Sequence, residues 1–225
     1  MAEPRRHGGR LAALLASFVL AARADSAAAA QRLDDLYTAQ TIVTGTVAKQ
    51  ALKKLVAADP GRDVRQLGLV DARGGSAAYS GKACVPWFGA ITGRNFAVQG
   101  NMLVGEATIQ AMAEAFEKTE ALDLPERLLI VLEAGQAAGG DKRGRQSAAL
   151  KVYYREEYPY LDLRVDEHRH PVAELRRVFE VARHQLLPFV DGMPTRDNPL
   201  GRLPEAIAAR LMTPPPFRPG GGGSA

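Results

Sequence analysis

Two short polar stretches carry the residue types from which a carbonyl-handling site can be built. The first, Phe96-Ala97-Val98-Gln99-Gly100-Asn101-Met102-Leu103, sets carboxamides on both sides of a glycine at a strand-to-helix junction. A carboxamide N–H donates to a developing oxyanion without bringing a charge. The same letters also suit an ordinary turn, with Gly100 at positive φ and Asn101 closing the loop. The second stretch, Gly135-Gln136-Ala137-Ala138-Gly139-Gly140-Asp141-Lys142-Arg143-Gly144-Arg145-Gln146-Ser147, joins a helix to a strand and is more polar and glycine-rich than a helix stop requires. In it Arg145 and backbone amides can hold an anionic or carbonyl substrate, with Asp141 orienting the arginine. The competing reading is a surface loop bridged to itself.

Several other chemistries are excluded or weakened by spacing. The long loop has no Gly-Lys-Ser/Thr and leads into a strand, so it is neither a Walker loop nor a dinucleotide fingerprint. His168 and His170 straddle Arg169, but two imidazoles without a third ligand fit a polar turn before a helix better than a metal site. Ser147 has no neighbouring histidine and no Gly-x-Ser-x-Gly elbow around it. Cys84 is the single cysteine, which rules out an internal disulfide and reads as a small buried hydrophobe.

The elements that must position these loops follow from periodicity. Ala48, Leu52, Leu55 and Val56 mark a helix that stops at Asp59-Pro60-Gly61. Val64 to Ala72, a turn at Arg73-Gly74-Gly75 and Ser76 to Ser80 read as a hairpin, with Ala83 to Trp87 and Asn95 to Gln99 as further strand candidates. Ile109, Met112, Ala113 and Phe116 give a second helix; Leu124, Leu128, Val131 and Leu132 give a third, opened by Asp123, Pro125 and Glu126. Strands over Ser147–Tyr154 and Tyr160–Val165 then precede a helix opened by Pro171, with Val172, Leu175, Phe179 and Ala182 on one face. Helices and antiparallel strands come in blocks, so the class is α+β in layers.

With 46% hydrophobic and 24% charged residues the composition is that of a globular protein, and no apolar run is long enough to span a bilayer. The net charge of +4 comes from dispersed basic residues, some set among acids as on a solvated helix face, which argues against nucleic acid as partner. Residues 1–24 have the order of a secretory signal: Arg5, Arg6 and Arg10, the apolar run Leu11 to Ala22, then Ala22-Arg23-Ala24 as cleavage site. The rivals are an alanine-rich helix or a misplaced gene start. Residues 25–46 show no strand period, residues 47–187 form the domain, and residues 188–225 are a flexible tail rich in proline and glycine. No internal repeat is visible.

Taken together, Asp59-Pro60-Gly61-Arg62, Val70-Asp71, Gly81 with Cys84 and Trp87, Gln99-Gly100-Asn101, Gly135-Gln136-Ala137-Ala138-Gly139-Gly140-Asp141, Arg143-Gly144-Arg145-Gln146-Ser147 and Asp162-Leu163-Arg164-Val165-Asp166 resemble a bacterial family. It is the Ntn-hydrolase-like family catalogued as domain of unknown function 1028, and the resemblance runs from about Ala48 to Val181. It implies a four-layer αββα sandwich, here incomplete at the N-terminus: the glycine-rich hairpin common in the family is absent, Phe18 to Asp25 only faintly echo its first strand, and Ala90 stands where a histidine is common. In Ntn hydrolases a first-residue threonine, serine or cysteine attacks an amide-like carbonyl with its own α-amino group as base. By that resemblance Asn101, Asp141 and Ser147 are the catalytic candidates, Asn101 supplying the oxyanion contact, while Gln99, Arg145 and Gln146 bind substrate.

The expected function is hydrolysis of a small amide, imide or related C–N bond with no cofactor and no metal. The partners expected are a small-molecule substrate and further copies of the chain as a homo-oligomer, with neither nucleic acid nor, after processing, membrane. The expected location is periplasmic or secreted, the alternative cytoplasmic. The rival functions are a catalytically inactive binding or scaffold member of the family, or the product of a truncated gene.

Overall fold

Ala48, Ala51 and Leu55 recur at helical spacing, and the computed structural model buries all of them along one face of α1 (Ala48–Ala58). The structure describes residues 47–211 with the exception of 155 and 157, so the leader expected in residues 1–24 and the irregular segment 25–46 lie outside the described residues. Asp59 ends α1 with extended backbone (φ −94°, ψ 109°), as a residue before proline must. A single 3₁₀ turn, Arg62–Val64, leads into β1 (Gln66–Val70), which pairs antiparallel with β2 (Ser76–Ser80) in the register Gln66↔Ser80, Gly68↔Ala78, Val70↔Ser76.

The turn between these strands is organised by Asp71. Its carboxylate accepts the backbone N–H groups of Arg73 and Gly75 (both 2.9 Å) and of Ala48 at the start of α1 (3.0 Å). One side chain thus closes the hairpin and supplies an acceptor to a helix end with unpaired donors.

β3 (Gly89–Gly93) and β4 (Phe96–Gly100) form the next antiparallel pair, joined by a turn in which Asn95 takes φ 67°. Asparagine tolerates that left-handed conformation. The strand expected over Ala83–Trp87 is instead turn and bend, and the strand begins at Gly89. Pro86 has no N–H to give a ladder, and the N–H groups of Ala83 and Cys84 are taken by the carbonyls of Asp63 and Gly81.

Strand alternation sends the two faces of each hairpin to different neighbours. Gln66, Gly68 and Ser76 face β3–β4: Ser76 Oγ donates to the Gly93 carbonyl at 2.7 Å, and the missing Cβ of Gly68 leaves room for Ala97 and Gln99. The opposite face of β1–β2 packs on α1. Phe96 and Val98 leave the other side of β4 and join Ile109, Met112, Ala113 and Phe116 of α2 (Glu106–Lys118) and Val131 of α3 (Leu124–Ala137) in one apolar core. Burial of each large apolar side chain there contributes about 1.5–3 kcal/mol. Arg127 of α3 reaches across to α2, donating to the Phe116 carbonyl at 2.8 Å with its guanidinium 3.9 Å from the Phe116 ring.

The described residues fall into two compact units that divide between Arg145 and Gln146. In the second unit β5 (Ala148–Tyr153) and β6 (Pro159–Val165) pair antiparallel, with Ala148, Leu150, Val152, Leu161, Leu163 and Val165 buried in strict alternation. α4 (Pro171–Gln185) packs on them through Val172, Leu175, Phe179 and Ala182, as its spacing predicts. The segment after Pro188, expected to be a flexible tail, includes helical structure in its described part: α5 (Leu187–Val190) and α6 (Glu205–Leu211), with Tyr158 donating to the Pro194 carbonyl at 3.0 Å. The protein is therefore of mixed α and β class with small antiparallel sheets, and no described helix is long and apolar enough to cross a membrane.

Candidate functional site

The end of β4 presents Gln99, Gly100 and Asn101. Alternation turns Gln99 toward β1, where it is only 6% exposed and its amide lies against the bare Cα of Gly68. Its Oε1 has no hydrogen-bond partner. Gly100 stays in strand geometry, and the positive φ expected there falls at Met102 (φ 56°). Asn101, half-buried just beyond the strand, donates from Nδ2 to Gln66 Oε1 at 3.0 Å. Gln66 Nε2 in turn donates to Ser80 Oγ (2.8 Å) and to the Gly89 carbonyl (3.2 Å). Four polar side chains from β1, β2 and the end of β4 thus meet between the hairpins without a formal charge among them.

The glycine loop lies against the residues that follow Asn101. α3 ends at Ala137 with Ala138 as its cap, and Gly139 (φ 117°) and Gly140 (φ 64°) reverse the chain through conformations that side chains resist. The Gly140 carbonyl then accepts Val104 N–H at 3.0 Å, Leu103 and Asp141 form an antiparallel bridge, and Lys142 N–H donates to the Met102 carbonyl at 2.8 Å. On the other side, the N–H groups of Met102 and Leu103 reach the carbonyls of Val85 and Trp87, both at 3.0 Å. Segments 85–87, 102–104 and 140–142 are therefore tied together next to Asn101.

Within this loop Asp141 is engaged by Arg143, where the sequence reading has Arg145. The carboxylate accepts Arg143 backbone N–H at 2.8 Å and its guanidinium through Nε at 3.0 Å and Nη2 at 2.6 Å. Burial pushes the Asp141 carboxyl up, but the hydrogen bonds and charge of Arg143 outweigh it, and the net shift is below the ordinary carboxylate value. The physical reason is locality: a residue two positions on donates main chain and side chain to one carboxylate in a single turn. Arg145, after Gly144 at φ 117°, is exposed and does not pair with Asp141.

Gln99, Asn101, Asp141 and Arg145 belong to the first unit; Gln146 and Ser147 belong to the second. Gln146 and Ser147 are both exposed, the Gln146 carbonyl accepts His168 N–H at 2.9 Å, and Ser147 stands immediately before β5. His168 Nδ1 accepts His170 N–H at 3.0 Å, which makes this pair a local turn leading into α4. Among the described residues no group of three or more His, Cys, Asp or Glu could hold a metal ion. Cys84 is buried, and burial pushes its thiol up, away from the reactive thiolate.

Sequence reasoning missed Gln66 and Arg143. The signal for Gln66 was its shared parity with Gly68 on β1, which puts both on the face opposite Ala97 and Gln99. What the assembled groups offer chemically is a set of neutral N–H donors beside an ion-paired carboxylate, suited to a polar uncharged carbonyl.

No curated protein matches the chain. The crystal structure of a DUF1028 protein from Silicibacter pomeroyi is similar, with 28% identity, a TM-score of 0.63, and coverage of 78% of this chain and 75% of that one. Residues 12–175 match the profile of the family of unknown function DUF1028. Because that match takes in most of the sequence, both sheet pairs of the first unit and the glycine loop included, the chain belongs to the DUF1028 family.

Proposed function

We propose that this chain is a hydrolase-type protein that binds, and with a competent nucleophile cleaves, small amides, imides or related C–N bonds, using no metal or organic cofactor. The observation that carries the proposal is the Asn101 carboxamide, held at the end of β4 with Nδ2 as donor and flanked by the tied glycine loop. A fixed neutral N–H aimed at a carbonyl oxygen is worth most where charge develops on that oxygen. The succession α1, β1–β2, β3–β4, α2 gives the order helix, sheet, sheet, helix, which supports reading the fold as an αββα sandwich of Ntn type. In this reading Asn101 meets the carbonyl oxygen, Gln99 lines the same face, Asp141 keeps the loop closed through Arg143, and exposed Arg145 guides polar substrates. Export through the leader in residues 1–24 and assembly into a homo-oligomer are part of the same proposal.

The rival, a binding protein without turnover, is favoured by one observation: Asp141, a catalytic candidate, is already committed to Arg143. One panel of small amides and cyclic imides, offered to this chain and to the Silicibacter pomeroyi homologue, separates the readings. We expect turnover by the homologue with little or none by this chain. Turnover by both makes this chain an enzyme. Ligand binding without turnover in either supports the binding protein, and neither binding nor turnover in either refutes the site.

A further inference from the structure

We propose that Gln66 is a positioning residue that fixes Asn101 as a one-way hydrogen-bond donor. This rests on the reading that Asn101 meets the substrate carbonyl. The argument is one of hydrogen-bond direction. The Gly89 carbonyl, 3.2 Å from the Gln66 amide, can only accept, so the group facing it must be Nε2. Ser80 Oγ, 2.8 Å from the same nitrogen, takes the other hydrogen. With both Nε2 hydrogens committed, Gln66 has only Oε1 left to turn toward Asn101, at 3.0 Å. Asn101 must therefore present its nitrogen to Gln66, never its oxygen. A carboxamide is ordinarily free to flip end for end at little cost, and this relay removes that freedom.

The consequence for the site is specific. One Nδ2 hydrogen goes to Gln66, and the other has no acceptor among the described residues, so Asn101 offers a single oriented N–H to a ligand. No formally charged side chain takes part in the relay. Such a donor set selects a neutral carbonyl, as in a carboxamide, imide or ureido group, over a carboxylate or phosphate, which would bring its full charge without a cation in the relay to meet it.

The test uses the full chain, ¹⁵N-labelled, with the Asn101 side-chain NH₂ pair assigned by its loss in Asn101→Ala and the backbone amide spectrum as a check of folding. The wild-type pair should show one proton protected from solvent exchange. In Gln66→Met that protection should fall by about 2- to 10-fold, the value of one net hydrogen bond. In Gln66→Glu the carboxylate opposes the Gly89 carbonyl and the pair should be perturbed at neutral pH. Protonation gives the acid an O–H for Gly89, so the wild-type pattern should return as pH falls. An unchanged Asn101 pair in folded Gln66→Met, or a Gln66→Glu pair that does not respond to pH, overturns the proposal. Should Gln66→Met not fold, the pH response of Gln66→Glu carries the test alone. Where a substrate is turned over, Gln66→Met should lower kcat by about 10- to 100-fold with little change in KM. The spectral effect with no binding of any amide or imide by the wild-type chain leaves the positioning role standing and refutes the reading of Asn101 as a substrate contact.

Discussion

Asp71 shows how much one carboxylate can organise. It accepts three backbone N–H groups, and of these the bond from Ala48 does most to hold its carboxyl below the ordinary value of 3.8; burial opposes the shift, and the N–H groups of Arg73 and Gly75 reinforce it. Asp71→Ala should cost about 1–2 kcal/mol, as the loss of a helix cap and a turn acceptor does. Because the folded value is depressed, the stabilisation is fully present above the unfolded carboxyl's titration near 3.8 and is lost as pH falls through the folded value. Urea midpoints at pH 7 and pH 3 should therefore differ less in Asp71→Asn, which keeps an acceptor but cannot titrate, than in the wild type. An equal difference in the two proteins would assign the acid sensitivity to other groups. The half-exposed setting of Asp71 keeps the electrostatic part of this effect modest.

At the scale of elements, α4 and the β5–β6 hairpin stabilise each other. The helix is polar on one face, with Glu174 paired to Arg177 and Arg183 to Glu180, and apolar on the other, where Leu175 is fully buried and Phe179 is 3% exposed. A two-stranded hairpin is marginal alone and needs such a helix to cover its apolar side. Phe179→Ala should lower stability by about 3–5 kcal/mol, from lost transfer energy and the cavity left behind. Phe179→Leu should cost much less. An unfolding midpoint in Phe179→Ala equal to that of the wild type would show that the α4 stripe is not packed on the strands.

At the scale of the whole molecule, many charges among the described residues are neutralised by a local partner. The excess of 29 basic over 25 acidic residues is small, and Arg65–Asp59, Lys118–Glu114, Arg143–Asp141, Lys151–Asp162 and Arg164–Asp166 are ion pairs within 3 Å. Lys49, Lys53 and Arg62 line a shallow groove at α1 and β2 together with Leu52, Val56 and Tyr79. Three cations can neutralise about three phosphates, far short of a nucleic-acid footprint. Fluorescence anisotropy with a labelled DNA duplex at 0.15 M salt should thus show no saturable binding at about 10 μM protein, and binding of nonspecific strength or better at that concentration would contradict it.

The sequence by itself determined most of the elements and the family. Apolar residues at helical spacing specified α1, α2 and α4, the Arg73-Gly74-Gly75 turn specified the first hairpin, and the stretch Tyr160 to Val165 marked β6. These signals are local, since each is the backbone's own period written in side chains. It also singled out Asn101 and the glycine loop, whose positive-φ glycines are a backbone requirement visible in residue type. Only the tertiary structure decided the partners. Alternation gives a strand two faces without saying which neighbour each one meets, so Gln66, 35 residues from Asn101, emerged only when β1–β2 was laid against β3–β4. The placement of β3 at Gly89 depended on which carbonyls captured the N–H groups of Ala83 and Cys84. The choice of Arg143 over Arg145 for Asp141 depended on how Gly144 turned the chain between them. Spacing along a chain records what a segment can form, while the hydrogen bonds that orient a site depend on which surfaces the packed core brings within about 3 Å of each other.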